Sequence, residues 1–140
     1  RYLALVWGHM SAVSGVIDAP LGRDQRDPTK MAVLAGGKVA RTTYEVRQAF
    51  NVPVDCSLIE CGLETGRTHQ IRVHLATLGH SVVGDVVYGG ARSVLSSPRP
   101  MLHATSLHFT HPTSGEEMKF SADLPEDFAA VLAKCSQRTD

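Results

Sequence analysis

No stretch of this sequence stays apolar long enough to span a membrane, and no secretory-signal pattern opens it. Cysteine is scarce: Cys56, Cys61 and Cys135 are the only three, and no two of them form a C-x-x-C pair. An odd count without paired spacing argues against a disulfide framework and fits a reducing compartment. Buried, unreactive thiols are the expectation. H-E-x-x-H and G-x-S-x-G are both missing. The run "AGGK" at 35–38 lacks the spacing and the following Ser or Thr of a phosphate-binding P-loop, and reads as a turn. His69 and His74 are five apart, which does not set two metal ligands on one helix face, so no metal is expected.

One further absence is local. The chain as a whole is neutral, with 14 acids against 14 Lys and Arg. Residues 65–115 nevertheless hold a single acid, Asp85, beside Arg67, Arg72, Arg92, Arg99 and six of the seven histidines. Such a segment can present a positive surface to a polyanion although the net charge is zero. The cations are mostly arginine, whose planar fork grips a carboxylate or phosphate at two points.

What is present has the size of one domain: 140 residues, 43% apolar and 20% charged, with no internal repeat. "RYLALVWG" reads as a strand, and 23–30 as a charged surface loop. From Ala40, Thr42, Tyr44 and Val46 alternate with Arg41, Thr43, Glu45 and Arg47, the signature of a half-buried strand. Ile59, Cys61 and Leu63 give its hairpin partner after the turn at 51–53. A second hairpin is expected from Leu107 and Phe109 to Met118 and Phe120. Pro125 opens a closing helix, with Glu126 and Asp127 in its first turn and Phe128, Val131, Leu132 and Cys135 as its apolar stripe. Hairpins with few helices predict an α+β domain around a mainly antiparallel mixed sheet, not a doubly wound parallel one.

"TGRTHQIRVHLATLGH" at 65–80 carries the densest chemistry. Thr68 is the expected cap of a helix with Ile71, Leu75 and Leu78 on its buried stripe, and Gly79 its stop. Arg72 sits about 100° from Ile71, near the edge of that buried face, where its residue type fits equally an anion-gripping role and an ion pair that merely holds the sheet to the helix. Free N–H groups at the helix start favour anions.

This segment, continued as "TGRTHQIRVHLATLGHSVVGDVVYGG", resembles the third motif of RluA-type RNA pseudouridine synthases. "RYLALVWG" is similar to that family's tyrosine motif and "GVIDAPLGRDQRDPTKMAV" to its following hairpin and loop. "MLHATSLHFTHPTSGEEMKFSADLPEDF" resembles its closing strands and helix. The blocks stand in family order along nearly the whole chain. The resemblance implies the pseudouridine synthase fold and isomerisation of uridine to pseudouridine in ribosomal or transfer RNA, with no cofactor. It also implies a cytoplasmic enzyme; an organelle would require a targeting segment outside this chain.

In the family the nucleophile is an aspartate in H-R-L-D-x-x-T-S-G, before the tyrosine motif. None of the eight aspartates here stands in such a motif. Residues 1–140 are therefore read as one partial catalytic domain whose N-terminal part is missing, inactive alone, with an uncovered sheet edge open to dimerisation. The alternative is a synthase-like module that binds RNA without catalysis. The resemblance makes Arg72 the cation that pairs with the catalytic aspartate. Without that aspartate, Arg72 is expected to be uncompensated or to draw in solvent or another anion. Tyr2 becomes the tyrosine that stacks on the target uracil. Arg67 and His69 are candidates for RNA phosphate contacts, Leu102 for packing beside the uracil, and His103 for the cleft or for a structural hydrogen bond. Arg26 and Lys30 lie in a charged loop that could reach RNA, with a solvated surface loop as the favoured reading. Asp85 and Tyr88 are read as structural, with Asp85 tying down its glycine-rich loop.

Overall fold

A computed structural model describes residues 1–110 and 112–137, with the side chains of 107–110 and 120 left out of the description. Its centre is a five-stranded sheet built from β1 (Tyr2–Trp7), β2 (Ser14–Asp18), β5 (Arg41–Phe50), β6 (Cys56–Leu63) and β7 (Leu102–Ala104). The order is β2-β5-β6-β1-β7, and its strand pairings are antiparallel. β3 (Leu21–Arg23) and β4 (Met31–Val33) form a separate small hairpin, as do β8 (Ser106–Thr110) and β9 (Glu117–Ser121). Two helices are described, α1 (Gln70–Thr77) and α2 (Glu126–Leu132), besides one short 3-10 turn at Ser93–Leu95. Neither helix is long and apolar enough to cross a membrane.

Register decides which side chains share a face, because directly opposed residues point the same way. Tyr2 opposes Cys61, and Cys61 opposes Tyr44. Thr42, two residues before Tyr44, points to that same face. His74 and Gln70 of α1 hydrogen-bond the Thr42 hydroxyl, so α1 covers the face from which Tyr2 projects. Trp7 and Cys56 are opposed on the other face. There the Cys135 sulfur, just past α2, lies 3.8 Å from that of Cys56. Helices thus seal both sides of the central strands, and Ala4, Leu5, Val6 and Ile59 are fully buried between them. Each large apolar side chain removed from water this way contributes about 1.5–3 kcal/mol.

The expected alternation holds along β5, where Ala40, Thr42 and Tyr44 are buried while Glu45 and Arg47 are exposed. Phe128 and Val131 of α2 are buried as its stripe requires. All three cysteines are free thiols, and burial pushes Cys56 and Cys61 up to about 12, which leaves them unreactive. The second expected hairpin forms with Leu107 opposite Phe120, but which side of it is buried lies outside the described side chains.

Two expectations for α1 are corrected. Thr68 is not its cap: the helix begins after His69, which adopts a left-handed backbone (φ 54°) and makes no side-chain cap bond. The Gln70 side chain instead braces the entry loop, its carbonyl accepting the Arg67 amide and the Thr65 hydroxyl. Leu78 does not join the buried stripe; it is 45% exposed because the helix has already ended. Gly79 does provide the stop. At φ 85° it lets its own amide and that of His80 return to the carbonyls of Ala76 and Leu75, the two bonds of a Schellman turn.

Candidate active site

Arg72 projects from the first turn of α1 to the rim of the buried face, as its spacing from Ile71 requires. It is not left without an anion. Its Nε and Nη2 donate to the two carboxylate oxygens of Asp85 at 2.7 and 2.9 Å, a parallel bidentate pair. Of the two expectations for Arg72, an uncompensated cation is corrected and the drawing in of another anion holds: its own chain supplies that anion. Asp85 is fully buried, and the Arg72 side chain is 18% exposed. Hydrogen bonding to Asp85 raises the Arg72 pKa above its ordinary value. The same carboxylate accepts the amides of Val87 and Tyr88, so it also ties down the glycine-rich turn, as expected. That turn is closed by Gly90, where any side chain would collide with the carbonyl of Val82.

The guanidinium is held on its face as well as its edge. Its carbon stands 5.2 Å from the centroid of the Tyr88 ring. Tyr88 is in turn fixed by its hydroxyl, which accepts the Met31 amide of β4 at 3.0 Å and lies 2.8 Å from His69 Nδ1. Burial, then the nearby Arg72 charge, lowers the His69 pKa below its ordinary value. His69 is thus neutral near pH 7. The Tyr88 hydroxyl joins the Met31 amide and the His69 ring in one short hydrogen-bonded chain. The left-handed backbone at His69, costly for a residue with a side chain by about 1–3 kcal/mol, is the geometry that turns the ring toward Tyr88. Leu21, Ala40 and Val73, with Met31 and Tyr88 against them, form a small second core that fastens the β3–β4 hairpin to α1.

Beside this network a cleft of about 490 Å³ opens between the β3–β4 hairpin and the loop leading into α1. Arg23, Lys38 and Arg67 line it, and no acidic residue does. Gly37 permits the hairpin's close return, since a side chain there would press within 2.6 Å of the Leu21 backbone. Arg67 is anchored through Nε to the Val39 carbonyl. Arg23 and Lys38 are functional candidates that a linear reading misses, because only the fold brings residues 23, 38 and 67 together. Lys30 instead lies over the Tyr88 ring, and Arg26 sits exposed in the hairpin loop.

The remaining candidates separate by face. Tyr2 is half-buried against the main core on the α1 side. Leu102, opposed to Ala4, shares that side and also packs on the core. His103, opposed to Leu3, points to the other side, where Nε2 makes a long 3.4 Å contact to the Ala122 carbonyl. Two of the other histidines are structural. His74 is fully buried, bonded through one ring nitrogen to Thr42 and through the other to the Ala19 carbonyl. His80 meets the Trp7 carbonyl. The positive segment is less open than its composition suggests: Arg72 and Arg99 are paired with Asp85 and Asp127, and Arg92 lies over the Trp7 ring. Among the described residues no group of three His, Cys, Asp or Glu side chains is arranged to hold a metal.

Asp85 cannot serve as a nucleophile in this arrangement. Its oxygens are enclosed, and four donors hold them.

Comparison with known proteins agrees with the motif order. The RNA pseudouridylate synthase family matches residues 1–77. An uncharacterized RNA pseudouridine synthase of Chloroflexus aurantiacus is 50% identical over 98% of this chain and 42% of its own length. Ribosomal large subunit pseudouridine synthase D of Nitrosomonas europaea is 48% identical over 94% of this chain and 39% of its own. This chain thus spans about two fifths of the length of these relatives. The solved structure of human RNA pseudouridylate synthase domain containing 1 superposes with a TM-score of 0.81 at 31% identity, covering 99% of this chain and 59% of that one. The chain, an α+β domain around an antiparallel sheet, belongs to the RNA pseudouridylate synthase family and is of the RluA type.

Proposed function

We propose that the protein containing this chain isomerises uridine to pseudouridine within RNA. In that reaction the bond from ribose C1′ to N1 breaks, the base turns over, and C1′ joins C5. The C5 proton is lost to water and N1 takes one up, so neither redox change nor cofactor is called for. Arg72 is the residue on which the proposal turns: the family's motif arginine stands on α1, fork-held, over the sheet face from which Tyr2 projects. Its Nη1 edge is not engaged by Asp85 and is the edge that would meet the nucleophilic aspartate. A cation there keeps that carboxylate ionised and aimed.

Reaching the base requires drawing it from its stack, at a cost of a few kcal/mol. Stacking on an aromatic ring returns about 1–3 kcal/mol, and Tyr2, with Leu102 on the same face, is the proposed platform. Arg67, with Arg23 and Lys38 in the cleft, is proposed to hold phosphates beside the flipped nucleotide, and His69 to support that loop without a phosphate contact of its own. His103 is assigned to structure, since its strand register turns it from that face. Ribosomal RNA is the favoured substrate, in keeping with the name of the Nitrosomonas relative.

The test uses the complete gene product and RNA carrying tritium at uridine C5. Tritium released into water, with pseudouridine recovered from the digested RNA, is the expected result. Salt-dependent RNA binding without any release would favour an RNA-binding module instead.

A further inference from the structure

We propose that Asp85 and Tyr88 are the positioning residues of the reaction centre, fixing the Arg72 guanidinium so that only its Nη1 edge faces the reacting carboxylate. This rests on the assignment of Arg72 made above. An arginine side chain has several rotatable bonds and, left to itself, many orientations. Here the bidentate contact at 2.7 and 2.9 Å fixes the Nε–Nη2 edge. The Tyr88 ring, 5.2 Å from the guanidinium carbon, fixes its plane. Neither constraint is itself loose: Asp85 is fully buried and takes two further amide bonds. Tyr88 is held through its hydroxyl by Met31 of the hairpin and by His69. What remains free is one edge of a planar cation, aimed by groups that never touch substrate. A displacement of about 1 Å at such a centre can cost about 100-fold in rate.

Asp85→Asn separates this role from holding the loop. The amide oxygen still accepts the Val87 and Tyr88 amides, because all three of those loop and Nη2 contacts use Oδ1. The amide nitrogen takes the place of Oδ2 and opposes Arg72 Nε, donor against donor. Measured in the complete gene product with RNA substrate, Asp85→Asn is expected to lower kcat about 100-fold with KM within about threefold of wild type. In an Arg72→Ala background the same change should have no further effect on the residual single-turnover rate, since Asp85 acts through Arg72. Tyr88→Leu, which removes the ring but leaves the carboxylate grip, should lower kcat about tenfold, and Tyr88→Phe, which keeps the ring, less. If Asp85→Asn does not fold, the ordering of the two Tyr88 variants decides the question. Wild-type kcat in folded Asp85→Asn or Tyr88→Leu, or additive losses in the double variant, would overturn the proposal. Should Arg72→Ala itself keep full activity, the assignment of Arg72 fails first; a dead Arg72→Ala beside a fully active Asp85→Asn defeats the positioning role alone.

Discussion

Two arginines in this chain make nearly the same bond. Arg72 grips Asp85 through Nε at 2.7 Å and Nη2 at 2.9 Å; Arg99 grips Asp127 through Nε at 2.7 Å and Nη2 at 3.0 Å. Their surroundings differ. Asp85 is fully buried, whereas the Arg99 and Asp127 side chains are 37% and 35% exposed. Water can replace the second grip at both partners, whereas the carboxylate of the first is closed to it, so equal geometry carries unequal consequence. The buried pair also leads onward, through Tyr88 and His69, to the hairpin and the cleft. The exposed pair joins the 84–101 loop to the start of α2, and Arg99 Nη1 reaches on only to the carbonyls of Pro100 and Leu102.

The sharpest way to break this contrast is to remove each acid in turn. Asp85→Ala leaves the largely buried guanidinium without its carboxylate and two amides without an acceptor, and is expected to cost about 3–5 kcal/mol in urea unfolding of the complete gene product. Asp127→Asn is the opposite extreme, and should leave the unfolding midpoint nearly where it was. Equal losses in the two would show that burial does not distinguish the pairs. Between them lies the cleft. Replacing Arg67 or Lys38 by Ala should weaken RNA binding across sequences and reduce its salt slope by about one each, read from titrations at several salt concentrations.

A smaller effect concerns pH. His69 has a lowered folded value, set first by burial and next by Arg72, with Asp85 opposing and Arg23 adding to it. Lys30 also stands nearby, over the Tyr88 ring. Between that lowered value and the unfolded value of about 6.5 the unfolded chain binds more protons, so stability rises with pH across the window and falls on acidification. His69→Gln should flatten that part of the stability–pH curve.

Much of the sheet was legible in the sequence because one face of β5 and β6 is buried and the alternation shows it. The Gly79 stop was legible for the same local reason. What was not legible is what the fold brings in from a distance. Thr68 looks like a cap only until Gln70 is seen to reach back toward Arg67 and Thr65. Asp85 stood out as the lone acid of its segment, yet nothing local says that a residue 13 positions away spans the turn to meet Arg72. The cleft joins residues 21–38 to 66–68 and has no linear signature. Family resemblance located Arg72 and Tyr2; the hydrogen bonds show how Arg72 is held.

By itself the 140-residue chain is expected to release no tritium from C5-labelled uridine RNA, because no aspartate in it lies in the family's nucleophile motif.

The most direct measurement is the single-turnover rate of tritium release by the complete gene product, wild type against Arg72→Ala, with RNA affinity measured on both. Near-complete loss of release with most of the affinity retained is the predicted result; release at the wild-type rate by the variant would contradict a reaction centred on Arg72.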